Sequence, residues 1–171
     1  MNGLFSHVLI VLVPLLFTSV FHMVVVKKDW LQTLKNPIWQ SGFGENKTWR
    51  GVVFVPTTNA IFVLAVSYLF QFNVPYPFFL GYVLGLTYLL FELPNSFLKR
   101  KWGIRPGSHH ETHKYVFYFL DKTDSAFGVT VIYAMITRMP LEMAAVLFVI
   151  NSVTHIVVAL ILVRLKIKSS F

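Results

Sequence analysis

Between Glu92 and Asp124 an otherwise apolar chain gathers Glu92, Lys99, Arg100, Lys101, Arg105, Asp121 and Asp124. A carboxylate beside hydrocarbon costs roughly 3 kcal/mol unless it is partnered. A Glu at the end of one apolar stretch and two Asp at the start of the next therefore point to a polar cavity holding a cation, and the basic residues beside them point to phosphate. In Leu120-Asp121-Lys122-Thr123-Asp124-Ser125 the i, i+3 spacing puts both carboxylates on one face of a helix's first turn. Mg²⁺ needs only one or two carboxylates there, because it keeps several waters and completes its octahedron with substrate phosphates. Asp at a helix start is also an ordinary cap. Two on one face, joined by Glu92 from another helix, weigh toward metal. Asn95 and Ser96, within one turn of Glu92, offer further oxygen ligands.

Two basic motifs accompany the acidic ones. In Phe43-Gly44-Glu45-Asn46-Lys47-Thr48-Trp49-Arg50-Gly51, a helix starting inside the motif would set Lys47 and Arg50 on one face and add its N-terminal amides as anion donors. Such a site holds either a polyphosphate or lipid headgroups. It is not a Walker loop, since the order G-x-x-x-x-G-K-[ST] is absent. The run Lys99-Arg100-Lys101 suits anionic lipid heads when taken alone; with Glu92 just before it, it also suits a phosphate held beside a metal. His109-His110-Glu111-Thr112-His113 has one residue too few between Glu111 and His113 for a metalloprotease H-E-x-x-H signature. Asn151 and His155 are expected to hydrogen-bond between helices, and His22 to be a packing or interfacial residue.

These residues must be positioned by membrane-type elements. The composition, 56% hydrophobic with mean hydropathy +0.64, carries more apolar surface than one soluble domain of 171 residues buries. The expectation is a single all-α domain of five transmembrane helices, at about 4–26, 52–71, 76–93, 120–138 and 143–163, joined by two polar loops. Starting at Asp124, the fourth span would have only thirteen residues before Arg138, about 20 Å of helix against a hydrocarbon core of about 30 Å. It must start near Leu120, which draws Asp121 and Asp124 into the membrane's polar edge. Residues 29–40, with Trp30, Trp39 and Pro37, read as an interrupted interfacial segment. Asn73, Pro75 and Pro77 mark a tight turn that makes the second and third spans antiparallel neighbours. With no cysteine, disulfides and zinc thiolates are excluded.

The net charge of +8 does not point to nucleic acid, because the basic residues sit in loops between spans. Five lie in 27–51, six in 94–124 and three after Val163. By the positive-inside rule, both long loops and the C-terminus are cytoplasmic and the N-terminus is outside. Met1 to His7 has no Lys or Arg, so a cleaved signal peptide is not expected.

The ordered motifs Phe43-Gly44, Asn46-Lys47-Thr48-Trp49-Arg50-Gly51, Ser96-Phe97-x-Lys99-Arg100, Gly103-Ile104, Pro106-Gly107 and Leu120-Asp121-x-x-Asp124 resemble those of the CarS-like CDP-archaeol synthases, relatives of CDP-diacylglycerol synthases. The resemblance implies a cell-membrane, Mg²⁺-dependent cytidylyltransferase joining CTP to a lipid phosphate, with pyrophosphate released and the active site facing the cytoplasm. It carries Lys47, Arg50, Lys99 and Arg100 onto basic nucleotide-and-phosphate motifs, with Asn46, Thr48, Asn95 and Ser96 alongside as substrate-binding residues. Asp121 and Asp124 fall on the acidic pair, and Glu92 stands where the family usually has Asp. The lipid product is of the CDP-archaeol or CDP-diacylglycerol type. A CDP-alcohol phosphotransferase is disfavoured, since its signature needs further Asp residues and none follows Asp124. A non-catalytic membrane protein binding anionic lipid or nucleotide is the alternative.

The charge asymmetry yields a direct test. Single cysteines introduced at positions 45 and 108 of this cysteine-free chain are expected to react with a membrane-impermeant thiol reagent only once the cytoplasmic side is opened. Labelling of either from outside overturns the topology.

Overall fold

The computed structural model describes residues 3–104 and 114–165, the side chains of 114–118 and 122 excepted. The His109–His113 cluster, Arg105 and the basic tail from Lys166 lie outside them. The described residues are helical or in short connections: α1 Leu4–Lys27, a 3₁₀ turn Gln32–Leu34, α2 Gln40–Phe43, α3 Trp49–Leu69, α4 Pro77–Lys101, α5 Lys114–Thr137 and α6 Leu141–Arg164. Four of these, α1, α3, α4 and α6, are long and apolar enough to cross a membrane. α5 is as long as α1 but carries Asp121 and Asp124 in its first half. Outward faces are apolar, with Phe17, Ile61, Phe79, Val149 and Leu160 all exposed, as hydrocarbon solvent requires.

Two boundaries differ from the sequence reading. The third span was placed to end at Leu93, yet α4 runs through Pro94 to Lys101; proline removes only its own N–H donor, and helices inside membranes absorb that loss. The helix thus carries Asn95, Ser96, Lys99 and Arg100 on the same rod as Glu92. α5 begins at Lys114 rather than near Leu120, which places Asp121 and Asp124 beyond its first turn. They do not cap it, since caps serve only the first free N–H groups. The 29–40 segment is interrupted as expected, with the short turns Gln32–Leu34 and Gln40–Phe43 on either side of Pro37.

The helices pack in a chain of neighbours, α1 on α3, α3 on α4, α4 on α5 and α5 on α6, and α6 touches α1 to close the bundle. The closest pair is α3 and α4. A Cβ on Gly81 would lie 2.7 Å from the Ala60 Cα, and one on Gly85 2.7 Å from the Pro56 Cα. Only bare glycine lets these backbones meet, the small-x-x-x-small device of membrane helix pairs. Asn59 secures the crossing, its Nδ2 donating to the Gly81 carbonyl at 2.7 Å. The core occupies the end of the bundle where α1 and α6 start, with Ile10, Val11, Leu15, Val63, Val66, Leu80, Leu84, Val129, Tyr133 and Leu147 in one cluster. There the buried His7 Nδ1 and Tyr133 hydroxyl meet at 2.8 Å, tying α1 to α5. The opposite end is left to the polar residues.

Gly81→Val places methyls against backbone that cannot yield. It is expected to destabilise the protein by on the order of 1–3 kcal/mol, read as a lower unfolding midpoint in detergent. Gly3→Ala, with nothing within 4 Å of its added carbon, is expected to be neutral.

Candidate functional site

The loop before α3 is built to present Lys47. Gly44 adopts φ 88° and ψ 174°, a conformation open only to glycine. The chain then turns back so that Ile38 N–H donates to the Lys47 carbonyl at 2.8 Å and Trp49 N–H to the Asn36 carbonyl at 3.1 Å. Aromatic packing docks this hairpin-like loop on α4: Trp39 meets Phe97 at 5.8 Å and Phe43 at 5.4 Å between ring centroids. Gly42 faces the Trp39 ring so closely that any Cβ would enter it.

From this loop Lys47 Nζ donates to Glu92 Oε2 on α4. Two turns further along α4, Lys99 Nζ donates to both carboxylate oxygens of Asp121 on α5. Between the two ion pairs lies Asn95, whose Nδ2 donates to Asp121 Oδ1 at 2.6 Å and to Asp124 Oδ2 at 3.3 Å. Asp124 Oδ1 accepts from the Ser125 N–H at 2.6 Å. The Ser125 Oγ lies 3.1 Å from Asp124 Oδ1 and 3.4 Å from Glu92 Oε1, so one hydroxyl spans both carboxylates. Glu92, Asn95, Lys99, Asp121 and Asp124 thus form one polar network across the α4–α5 interface.

The network sits at the mouth of a cavity of 640 Å³. Its polar end is lined by Asn46, Lys47, Thr48, Glu92, Asn95, Ser96, Lys99, Arg100, Asp121 and Asp124, together with Lys27 of α1. The rest of its lining is largely apolar, with Val55 and Leu86 of α3 and α4 on the floor and Val158 and Leu162 of α6 on the wall. Four basic and three acidic side chains face this space, a balance that suits a polyanion bound together with a cation. Arg100 has its Nε and Nη1 buried without hydrogen-bond partners among the described residues, donors suited to phosphate oxygens. Ser96 turns its hydroxyl proton back to the Glu92 carbonyl at 2.9 Å, leaving only lone pairs for a ligand.

Arg50 is placed elsewhere. Because α3 begins at Trp49 with Thr48 as its cap, Lys47 precedes the helix, and the shared face expected of Lys47 and Arg50 does not form. Arg50 is buried, 4% exposed, and its Nη1 donates to Asp29 Oδ1 at 3.3 Å and to the Trp30 carbonyl at 3.0 Å. It lies outside the cavity wall and holds the α1–α3 connection. The hydrogen bond from Lys35, reinforced by Arg50, holds the Asp29 carboxyl below its ordinary value.

Several residues of the network and the cavity have no site role in the sequence reading. Ser125 was legible as the neighbour of Asp124, and Tyr88 as the residue one turn before Glu92. His155 stacks on Tyr88 at 5.4 Å and lines the cavity. His22, expected as a packing residue, also lines it. Only the crossing of α1, α4 and α6 brings these rings together.

Among the described residues no three His, Asp or Glu side chains are gathered as a ready set of metal ligands. Glu92 and Asp121 are held instead by lysines. The donor set nevertheless fits Mg²⁺: Asp121 and Asp124 face one another across Asn95, and the buried Asn95 Oδ1 has no hydrogen-bond partner. Two carboxylates suffice for an ion whose remaining ligands are water and phosphate.

A family model described as CarS-like, CDP-archaeol synthase, matches residues 38–171. No curated protein and no solved structure matches the chain. The matched region takes in α2 to α6 and all of the ion-pair network, and leaves α1 outside.

Arg50→Met removes a buried guanidinium from the Trp30 carbonyl. That bond is worth about 1 kcal/mol or more, so the unfolding midpoint should fall by a few degrees and the 29–39 segment should become easier to cleave by protease. The depressed Asp29 value makes its ionic tie persist through mildly acidic pH and fail only as pH falls through that lowered value.

Proposed function

We propose, from the premise that the chain belongs to the CarS-like CDP-archaeol synthase family, that it transfers CMP from CTP to the phosphomonoester of a membrane lipid, giving a CDP-lipid and pyrophosphate. Membership itself makes the chain a CTP-dependent cytidylyltransferase acting on a lipid. The observation that carries the finer reading is the two-natured cavity, whose charged mouth is continuous with an apolar floor inside the helix bundle. A lipid phosphate has that division, with a dianionic head and hydrocarbon chains. The lipid is of the archaeol or diacylglycerol type, and the polar mouth is assigned to the cytoplasmic face by its basic loops.

The lipid phosphate supplies the nucleophile, and no general base is required. A phosphomonoester has a second pKa of about 6 and is mostly dianionic at neutral pH. Its oxygen attacks the α-phosphorus of CTP in line; the new P–O bond forms as the bond to the β-phosphate oxygen breaks, and pyrophosphate leaves with the electron pair. What the chain contributes is position and charge. Lys99 and Arg100 hold the triphosphate, and Lys47, on the wall nearest the lipid floor, holds the lipid phosphate. Asn46, Thr48 and the lone pairs of Ser96 line the same mouth. Mg²⁺, held by Asp121 and Asp124 with Glu92 beside them, would neutralise phosphate charge on the attacking and leaving sides. In the protein without ligands Lys47 and Lys99 are neutralised by Glu92 and Asp121. On binding they exchange these carboxylates for phosphates, which frees the acidic groups for the cation.

The test is turnover of CTP with a lipid phosphate in detergent or nanodiscs, read as pyrophosphate release and CDP-lipid formation. Wild-type protein should turn over and lose activity on EDTA treatment, with recovery on added Mg²⁺. Asp121→Asn should fold normally and lower kcat by orders of magnitude. Lys99→Met should weaken CTP binding by about 1.5–3 kcal/mol, the range for a hydrogen bond to a charged group. Undiminished turnover in Asp121→Asn removes the metal assignment; absence of any turnover by wild type with either lipid class removes the enzymatic reading.

A further inference from the structure

α1 lies outside the region matched by the family model, yet it closes one side of the cavity through Leu15, Thr18, Ser19, His22, Met23 and Lys27. Its first turns are packed into the apolar core, whereas the stretch from Thr18 onward faces the cavity. Two polar atoms on this stretch are anomalous. The Thr18 Oγ1 and His22 Nε2 are both buried and have no hydrogen-bond partner among the described residues. They are four residues apart, so they share one face of the helix.

Four buried helical hydroxyls have no partner among the described residues, Thr18, Ser67, Thr130 and Ser152, and of these only Thr18 lines the cavity. Ser19, Thr57, Ser96, Thr123, Thr137 and Thr154 each turn back to a backbone carbonyl three or four residues earlier, the usual resort of a hydroxyl in hydrocarbon. Thr18 is 1% exposed and does not. Its neighbour Ser19 donates to the Leu16 carbonyl at 2.9 Å, so the local backbone permits such a bond. His22 stacks on Phe54 at 5.9 Å, and its Nε2 faces Gly51, where an added Cβ would lie 3.6 Å away. A buried polar atom left unpaired is costly, and two of them on one wall of a ligand-sized cavity call for a partner that the protein lacks.

Depth decides what that partner is. Lys27 lines the mouth; at 1.5 Å per residue His22 lies about 7 Å and Thr18 about 13 Å further along α1. His22 thus stands beside Gly51 at the inner edge of the polar mouth, and Thr18, one turn deeper along α1, shares the cavity with the apolar Val55 and Leu86. In a lipid phosphate the polar atoms at that level are the oxygens that join the hydrocarbon chains to the glycerol. We propose that Thr18 and His22 form a subsite for these linkage oxygens, ester or ether, and that α1 thereby contributes lipid recognition that the family-matched part of the chain does not contain. The proposal rests on the assignment of the cavity to a lipid phosphate. Thr18 donates its O–H and His22 its ring N–H, and both are binding residues that leave the reacting phosphorus to the α3–α5 network.

The experiment measures equilibrium binding of lipid phosphates to the full chain in detergent, separately from turnover, so that loss of the enzymatic reading and loss of this one are told apart. The probes are a two-chain glycerol phosphate and a long-chain alkyl monophosphate that has the same head and chain but no glycerol. In Thr18→Val/His22→Leu the Kd for the glycerol lipid is expected to rise about 5- to 50-fold, about 2- to 10-fold per bond lost, while the Kd for the alkyl phosphate and for CTP stays within 2-fold. Thr18→Ser and His22→Gln keep the donors and should bind the glycerol lipid within about 2-fold of wild type, which guards against misfolding of the apolar variants. An unchanged Kd for the glycerol lipid, equal losses for both lipid probes, or failure of the donor-keeping variants to bind overturns the proposal.

Discussion

Charge inside a bundle whose outer faces are apolar must be balanced within the bundle. Glu92, Asp121 and Asp124 project from helices that also carry outward-looking residues such as Phe79, Phe119 and Phe127, and water is not at hand to solvate them on those sides. Each carboxylate is accordingly given a partner from another element, Lys47 for Glu92, Lys99 for Asp121 and Asn95 for Asp124, and Asp124 also accepts from its own neighbour Ser125. Much of the architecture at this end serves those pairings. The Gly44 turn, the backbone bonds around Ile38 and Trp49, and the Trp39–Phe97 contact all act to bring one lysine to one glutamate. Lys47 and Glu92 are part-buried, so breaking their pair on one side is costly, and a ligand that draws Lys47 away must offer Glu92 compensation. The proposed pairing of phosphate with a cation draws on that reciprocity.

The two ends of the bundle solve opposite problems. At one end α3 and α4 touch backbone to backbone through Gly81 and Gly85, and His7 is sealed against Tyr133, so no room remains. At the other the same helices spread around 640 Å³. Gly81 and Gly85 set the close approach of α3 and α4 at the packed end and do not line the cavity.

α1 occupies an intermediate position between scaffold and site. Its early turns belong to the packed end and its later turns to the cavity wall, and the unpaired Thr18 and His22 atoms fall on the second part.

The character of the protein is legible in its residues taken one after another. Long apolar runs in a cysteine-free chain of positive hydropathy define a helical membrane protein, because only closed hydrogen-bonding within each segment survives in hydrocarbon. The motifs around Lys47, Lys99 and Asp121 identify the family, since their order along the chain is itself the signal. Helix ends were less legible: Pro94 looked like a stop, and the polar start of α5 looked like a loop, because local polarity does not reveal what a neighbouring helix will neutralise. Partnership was not legible at all. Lys47 and Arg50 read as one anion-binding pair, but the start of α3 at Trp49 turns them to different carboxylates, Glu92 and Asp29. His22 read as a packing or interfacial residue and His155 as an interhelical hydrogen-bonding one, while Tyr88 carried no signal of its own. Tertiary structure alone places them around one cavity, because which faces of three helices meet depends on the close approach of α3 and α4 and not on any spacing within a single segment.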